Sequence, residues 1–300
     1  MKFINRFRSY IPRFILNKFK ELKRKKFNEK LSLAEKSGDL LSLGHLEAQL
    51  QSMGIVSGDS LLVHASLRQI GFVQDGPATV ICALQNVVGD QGNLLMPSSP
   101  VSALQFDYAS SSPLFDVNET PSAMGAISEN FRRLPNVKRS LHPTESVCAL
   151  GPQAAFLTQG HFGQLTPYNS NSPFYRLCEL KGKILYVGVT LDNAGTNLHT
   201  LEDAVDFPYP IYHQDVFELK VKDENNVLHL VKTKVHNPVY SKKRKCDELI
   251  PLFLENKACQ WVKLGEANCL LFDADLMFKT MIQAFELNGT TMYTPNGSLN

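Results

Sequence analysis

The sequence predicts a single large α/β domain, a layered fold whose mostly parallel central sheet is flanked by helices. Three observations predict it. Segments of strand character alternate with segments of helical period, as when strands are joined by crossover helices. Three hundred residues at 43% hydrophobic content suffice for one sizeable core. No Pro/Gly/Ser-rich linker divides the chain, and no internal repeat or low-complexity tract appears.

The elements follow in order. Residues 1–40 form a basic arm, 41–288 the folded body and 289–300 a short tail. Ser42 has the side chain to cap a helix that carries Leu46, Leu50 and Met53, and Gly54 closes it. Ser60 to Ala65 reads as a strand feeding a loop. Pro77 to Val88 has helical period, with Ile81, Leu84, Val87 and Val88 on one face and Gly89 as its stop. Asn93 to Met96 is a second strand, ended by Pro97-Ser98-Ser99-Pro100. Ala123 to Arg133 reads as helix, Val147 to Ala149 as extended and Lys183 to Val189 as a buried strand. Asp215 to Val221 and Val227 to Val235 alternate like an antiparallel pair, and Asp273 to Glu286 is a closing helix.

The near-neutral total charge hides an uneven distribution. Seven Lys and four Arg against Glu21 and Glu29 give residues 1–30 a net charge of +9; the whole chain carries +2, so the remainder carries −7. In the arm, Phe3, Phe7, Tyr10 or Ile11, Phe14 or Ile15, Phe19 and Leu22 recur at helical spacing among the cations, with Pro12 as a kink. That pattern suits a helix lying on an anionic membrane surface, where each basic residue contributes about 1 kcal/mol; a mobile solubilising tail is the alternative. Nothing in the body resembles a nucleic-acid reader, and phosphate attraction by the arm alone would be sequence-independent. No apolar run reaches transmembrane length and the N-terminus lacks a secretory apolar core. The six cysteines form no C-x-x-C pair and lie mostly in apolar surroundings, as buried free thiols do in a reducing compartment. The expected location is the cytoplasm, with peripheral contact at the inner face of the membrane through residues 1–30.

The chemistry concentrates in Thr196-Asn197-Leu198-His199-Thr200-Leu201-Glu202, just past the apolar run Ile184 to Val189. As the start of a helix, the T-x-x-H-x-x-E spacing puts a hydroxyl, an imidazole and a carboxylate on one face. Such a group suits proton transfer, since a carboxylate beside a histidine fixes its tautomer and stabilises the imidazolium. A zinc hydrolase built on His199 and Glu202 would need a third protein ligand, and no spacing in the sequence completes one.

Five further blocks accompany it: Val63 to Leu67 (V-H-x-S-L), Met96-Pro97-Ser98, Thr120 to Gly125 (T-P-S-x-M-G), Arg139 to Pro143 (R-S-x-H-P) and Ser172-Pro173. In this order, from about Ser42 to about Phe285, the chain resembles the aminoglycoside N3-acetyltransferase family. Ser98 stands where the family pattern has Thr, the turn Asp192 to Gly195 is one residue longer than in many members, and the basic arm is extra.

The resemblance implies a coenzyme A-dependent N-acyltransferase body over 41–288 with acetyl-CoA as co-substrate and no metal. It implies His199 as general base, Glu202 as its orienting partner and Thr196 beside them. The loops holding His64, Ala65, Ser66, Leu67 and Ser98, with Arg139, are expected on the coenzyme side. His142, Glu129 and Asp203 are expected on the acceptor side, with Asp192 and Asp206 as further acidic wall. Oxyanion donors are sought among the N–H groups of Ala65 to Leu67 or the Ser98 hydroxyl. Thr196 has two readings, a bond to the thioester or a helix cap, and the run Lys242 to Lys245 reads as a solvated loop. The acceptor is expected to be an aminoglycoside acetylated at its 3-amino group. The alternatives are an amino sugar, nucleotide- or lipid-linked, in cell-surface polysaccharide assembly, and a membrane-associated binding protein without catalysis.

Overall fold

A computed structural model describes residues 36–298 together with Lys18, Glu21, Leu22, Lys25, Glu29 and residues 32–34. Most of the basic arm, on which the membrane reading rests, lies outside the described residues, as do 299 and 300. Among the described residues no helix is long and apolar enough to cross a membrane.

The body is organised by a seven-stranded sheet. Its strands are β1 (Ser60–Ala65), β2 (Asn93–Pro97), β4 (Lys138–Arg139), β5 (Val147–Leu150), β6 (Lys183–Val187), β9 (Cys259–Leu264) and β10 (Ala267–Asp273), in the order β4-β5-β2-β1-β6-β10-β9. A smaller sheet joins β3 (Leu114–Asp116), β7 (Phe217–Lys222) and β8 (Leu228–Thr233). The expectation of a mostly parallel sheet is corrected here: the sheet is mixed. Only β2-β1 and β1-β6 run parallel, while β5 pairs antiparallel with β2 and β4, and β10 pairs antiparallel with β6 and β9. The parallel part is the part linked by long crossovers. The β9–β10 pair is a hairpin closed by Gly265-Glu266, and a tight turn of that kind joins antiparallel neighbours.

Alternation along the central strands sends side chains to two cores. Leu62, Leu95, Ile184, Tyr186, Leu270 and Phe272 point to one face; Leu61, Val63, Leu94, Met96, Leu185 and Val187 point to the other. Against the second face pack α1 (Leu43–Ser52) through Leu46 and Leu50, and α2 (Pro77–Val88) through Val80, Ile81, Leu84, Val87 and Val88. The first face is covered by α4 (Pro173–Glu179) and α6 (Ala274–Asn288). Each fully buried Leu, Ile or Phe contributes about 1.5–3 kcal/mol over exposure, so burying both faces is what holds the sheet.

Local signals set the boundaries. Ser42 caps α1 by accepting from the His45 N–H, Ser172 caps α4 by accepting from Tyr175 N–H, and Asp273 caps α6 by accepting from Leu276 N–H. The helix expected from Ala123 begins later, as α3 (Ala126–Arg132), because Gly125 at φ +108° precedes it outside the helical region. The strand expected to Val189 ends at Val187, where Gly188 turns with φ +61°; a side chain there would run into Gln69. The six cysteines are free thiols, five of them buried.

Candidate active site

The site follows from the strand order. From β1 the chain crosses to β2 on one side, and β6 later lies on the other, so the C-terminal ends of these strands flank a topological switch point, where open α/β sheets form crevices. Gly188 turns the chain out of β6 into the short helix Leu191–Ala194. There the Asp247 carboxylate accepts from Leu191 N–H at 2.7 Å. The single helix expected from Thr196 is two pieces, a 3-10 turn over Thr196–His199 that feeds α5 (Thr200–Ala204). His199 stands at the junction.

The His199 side chain is buried, at 5% exposure, with its ring 4.8 Å from that of Tyr168 and 4.7 Å from that of His236. Its Nδ1 lies 2.9 Å from Glu202 Oε2, close but out of line for a well-directed hydrogen bond. The same carboxylate is held from two other sides: His236 Nε2 lies 2.8 Å from Oε2, and the Tyr293 hydroxyl donates to Oε1 at 3.0 Å. Burial pushes the His199 imidazole down to about 3 against the opposing pull of Glu202, so it is neutral at physiological pH. For Glu202 burial opposes ionisation, but the two imidazoles outweigh it and hold the carboxyl below the usual carboxylate range. A neutral imidazole beside a fixed carboxylate is an arrangement that can take a proton and stabilise the cation it becomes. His199, His236, Thr196, Tyr168, Glu145 and Arg244 all line a crevice of about 190 Å³.

His236 also supplies the third donor that the sequence could not complete. His199 Nδ1, Glu202 Oε2 and His236 Nε2 lie within 4.8 Å of one another, a donor set of the type that holds zinc. Yet the 2.8 and 2.9 Å separations are hydrogen-bond distances, shorter than the roughly 3.3 Å or more between ligands that each sit about 2.0–2.2 Å from a tetrahedral ion. The spacing is that of a hydrogen-bonded pair, His236 with Glu202, and a close His199–Glu202 contact.

Residues 62–286 match the family described as aminoglycoside 3-N-acetyltransferase. The chain belongs to this family. Aminoglycoside N(3)-acetyltransferase IV of Salmonella sp is 41% identical over 167 residues, 55% of this chain and 60% of that protein. Aminoglycoside N(3)-acetyltransferase VII of Streptomyces paromomycinus is 32% identical over 193 residues, 60% of this chain and 66% of that one. The chain thus spans somewhat less than two thirds of the length of these two relatives. Among solved structures, AAC-VIa bound to sisomicin is 29% identical with a TM-score of 0.70, covering 82% of this chain and 98% of that one. AAC-IIIb in its binary complex with CoASH is 24% identical with a TM-score of 0.70, covering 84% and 98%, and shares the fold.

The residues expected on the coenzyme side lie at the end of β1, His64 and Ala65 within the strand and Ser66 and Leu67 just after it. The His64 ring stacks on Tyr186 at 4.9 Å, and its Nε2 lies 3.3 Å from the Thr196 hydroxyl, joining the β1 loop to the T-x-x-H-x-x-E segment. Thr196 therefore bonds His64 rather than capping a helix. Ala65 ends β1, the Ser66 N–H is bonded to Val187 O at 3.0 Å, and Leu67 heads the short helix Leu67–Ile70. The Ser66 N–H is thereby committed to β6.

Several expected site residues are committed elsewhere. Ser98 is fully buried against Ser146 and Arg139, so its hydroxyl is unavailable as an oxyanion donor. The Arg139 guanidinium donates to Ser98 O, Thr120 O and Val117 O and packs over Phe115 at 4.7 Å. His142 has no exposed surface; it stacks on His161 at 4.6 Å and meets Thr144 and Thr233, a strut rather than an acceptor contact. Glu129 pairs with Arg132 and Arg133 and accepts from Ser122 N–H, with the Arg132 bond first among the causes that hold it down at about 2. Asp203 accepts from Tyr212 hydroxyl at 2.9 Å and Tyr168 N–H at 3.2 Å, which positions the ring that packs on His199.

Sequence reasoning missed His236, Tyr168, Tyr293, Glu145 and Arg244. His236 comes from the segment after β8 and Tyr293 from the tail, which runs back to Glu202. No local spacing links either to His199. Of the run read as a solvated loop, Lys242, Lys243 and Lys245 are exposed, but Arg244 turns inward, with Nε 3.4 Å from the Tyr293 hydroxyl.

Proposed function

We propose that this chain is an N-acetyltransferase that moves the acetyl group of acetyl-CoA to an amino group of an aminoglycoside, at the 3-N position. Family membership and the relative bound to sisomicin support the reading. The single observation that carries it is the buried, neutral His199 imidazole on a crevice wall with Glu202 behind it.

An amine near neutral pH is mostly protonated and must lose a proton to attack a thioester. In the proposed reaction the ammonium proton is released to solvent, and His199 takes the nitrogen's second proton as that nitrogen bonds to the acetyl carbonyl carbon. The carbonyl π electrons move to oxygen, where Leu67 N–H is the proposed donor. Collapse re-forms the carbonyl and breaks the carbon–sulfur bond, and the coenzyme thiolate takes the proton from the His199 imidazolium. Glu202 steadies that imidazolium while His236 and Tyr293 fix the carboxylate. Such acid–base help is typically worth 10²–10⁴-fold, roughly 3–5 kcal/mol. His64, Ala65, Ser66 and Leu67 are assigned to the coenzyme side. Thr196 stands between the two sides through its bond to His64.

The test is thiol release from acetyl-CoA against a panel of aminoglycosides and nucleotide-linked amino sugars, with the acetylated nitrogen located by NMR. Release with aminoglycosides and a 3-N-acetyl product is expected. Turnover confined to nucleotide-linked sugars would replace this acceptor with the other.

A further inference from the structure

One buried carboxyl in the crevice has no part in the proposed proton transfer. Glu145 sits two residues before β5 at 9% exposure and lines the same crevice as His199 and His236. Its Oε1 accepts from Gln105 Nε2 at 2.6 Å, and Gln105 Oε1 in turn accepts the His236 backbone N–H at 2.9 Å. Gln105 is buried as well, so the carboxyl is held in one orientation by a side chain that is itself pinned to the site. Among the described residues no lysine, arginine or histidine forms an ion pair with Glu145. A buried carboxyl with no direct ion-pair partner is costly, and here burial outweighs the field of Arg244 on the same crevice.

We propose that Glu145 is the carboxylate that receives a second ammonium group of the acceptor, one that stays protonated while the reacting amine loses its proton at His199. The inference rests on the amine-acceptor reading above and adds to it a residue that holds the acceptor at a second amine. The two roles separate by chemistry. His199 is a neutral imidazole braced to become a cation, whereas a carboxylate is a weak base toward an amine and binds the ammonium as an ion pair. The protonation behaviour is consistent. Burial pushes the Glu145 carboxyl up to about 7, against the Gln105 bond and the field of Arg244, so an arriving ammonium favours the ionised form. The charged and titratable groups facing it are Arg244 and Tyr168, with His199 and His236 on the same wall.

Titration calorimetry and acetyl transfer with sisomicin and with spermidine, a triamine probe that is not a sugar, test this on the full chain. E145Q keeps the Gln105 contact and removes the charge. It is expected to weaken sisomicin binding and raise its KM at least tenfold, with kcat within about threefold and acetyl-CoA KM unchanged. The wild-type KM for sisomicin falls as pH rises through 7 and that of E145Q does not, while E145D recovers part of the affinity. Unchanged KM in E145Q, or a loss confined to kcat, overturns the proposal. If wild type acetylates spermidine and not sisomicin, the aminoglycoside reading fails while the E145Q effect on spermidine still decides this one. Binding of neither amine by wild type overturns it.

Discussion

Glu202 and His236 stand 34 positions apart in the chain and 2.8 Å apart in space, carboxylate Oε2 to imidazole Nε2. The carboxylate that backs His199 is thereby itself backed, with Tyr293 on its other oxygen. A base oriented by a fixed partner loses little freedom when it becomes charged, which is the physical content of preorganisation.

Removing the outer support while keeping the pair His199–Glu202 separates the two layers. Y293F deletes one hydrogen bond to an ionised oxygen, worth about 1.5–3 kcal/mol when made to a charged group. Thiol release is expected to slow roughly tenfold or more with acetyl-CoA KM unchanged; an unaltered rate would show that the tail contributes only packing.

Arg139 is expected to matter for stability and not for coenzyme affinity. Its guanidinium bonds three backbone carbonyls beneath β2 and the following loops. R139A should lower unfolding free energy by about 3 kcal/mol or more, since those carbonyls lose a charged donor. Denaturant titration reads the loss, and acetyl-CoA KM within threefold of wild type checks the second half.

Acid should destabilise the fold from an unusually high pH. Burial depresses the imidazoles of His64, His142, His161, His199 and His236 below the ordinary value of 6.5. Below about 6.5 the unfolded chain binds protons that the folded one refuses, so stability is lost as pH falls toward about 3, where burial places His64, His161 and His199. Glu145 and Asp203, raised by burial to about 7 and about 6, and Asp247, also raised by burial, act in the opposite sense above the normal carboxyl range, but are three against five. Melting temperature measured from pH 7.5 to 4 is expected to fall steadily below 6.5, with a shallower slope in H161F.

Zinc should not be needed. The donor set of His199, Glu202 and His236 is packed at hydrogen-bond distances, so acetyl transfer is expected to survive exhaustive chelation. Elemental analysis showing one tightly bound zinc per chain, with activity lost on its removal, would contradict this.

Much of the fold was legible in local signals. Pro77 to Val88 forms the helix its period and the stop at Gly89 predict, and Ser42 caps where its position predicts. The sheet's direction was not, because β4 is two residues long and Cys259–Leu264 with Ala267–Asp273 carry no alternation that says which neighbour they take. In the site, His199 and Glu202 were legible because three-residue spacing is a local relation. Glu145, His236 and Tyr293 were not, since burial and long-range contact created their roles. The reverse also occurred: Arg139 and His142 carry chemically suggestive side chains, and the tertiary structure turns both into props.

The central claim is that the His199 imidazole takes the acceptor's proton. The direct measurement is the rate of thiol release by H199A at saturating acetyl-CoA and sisomicin, with coenzyme binding checked by calorimetry. The account predicts a fall of at least a hundredfold with the coenzyme affinity retained. A wild-type rate in H199A would contradict it.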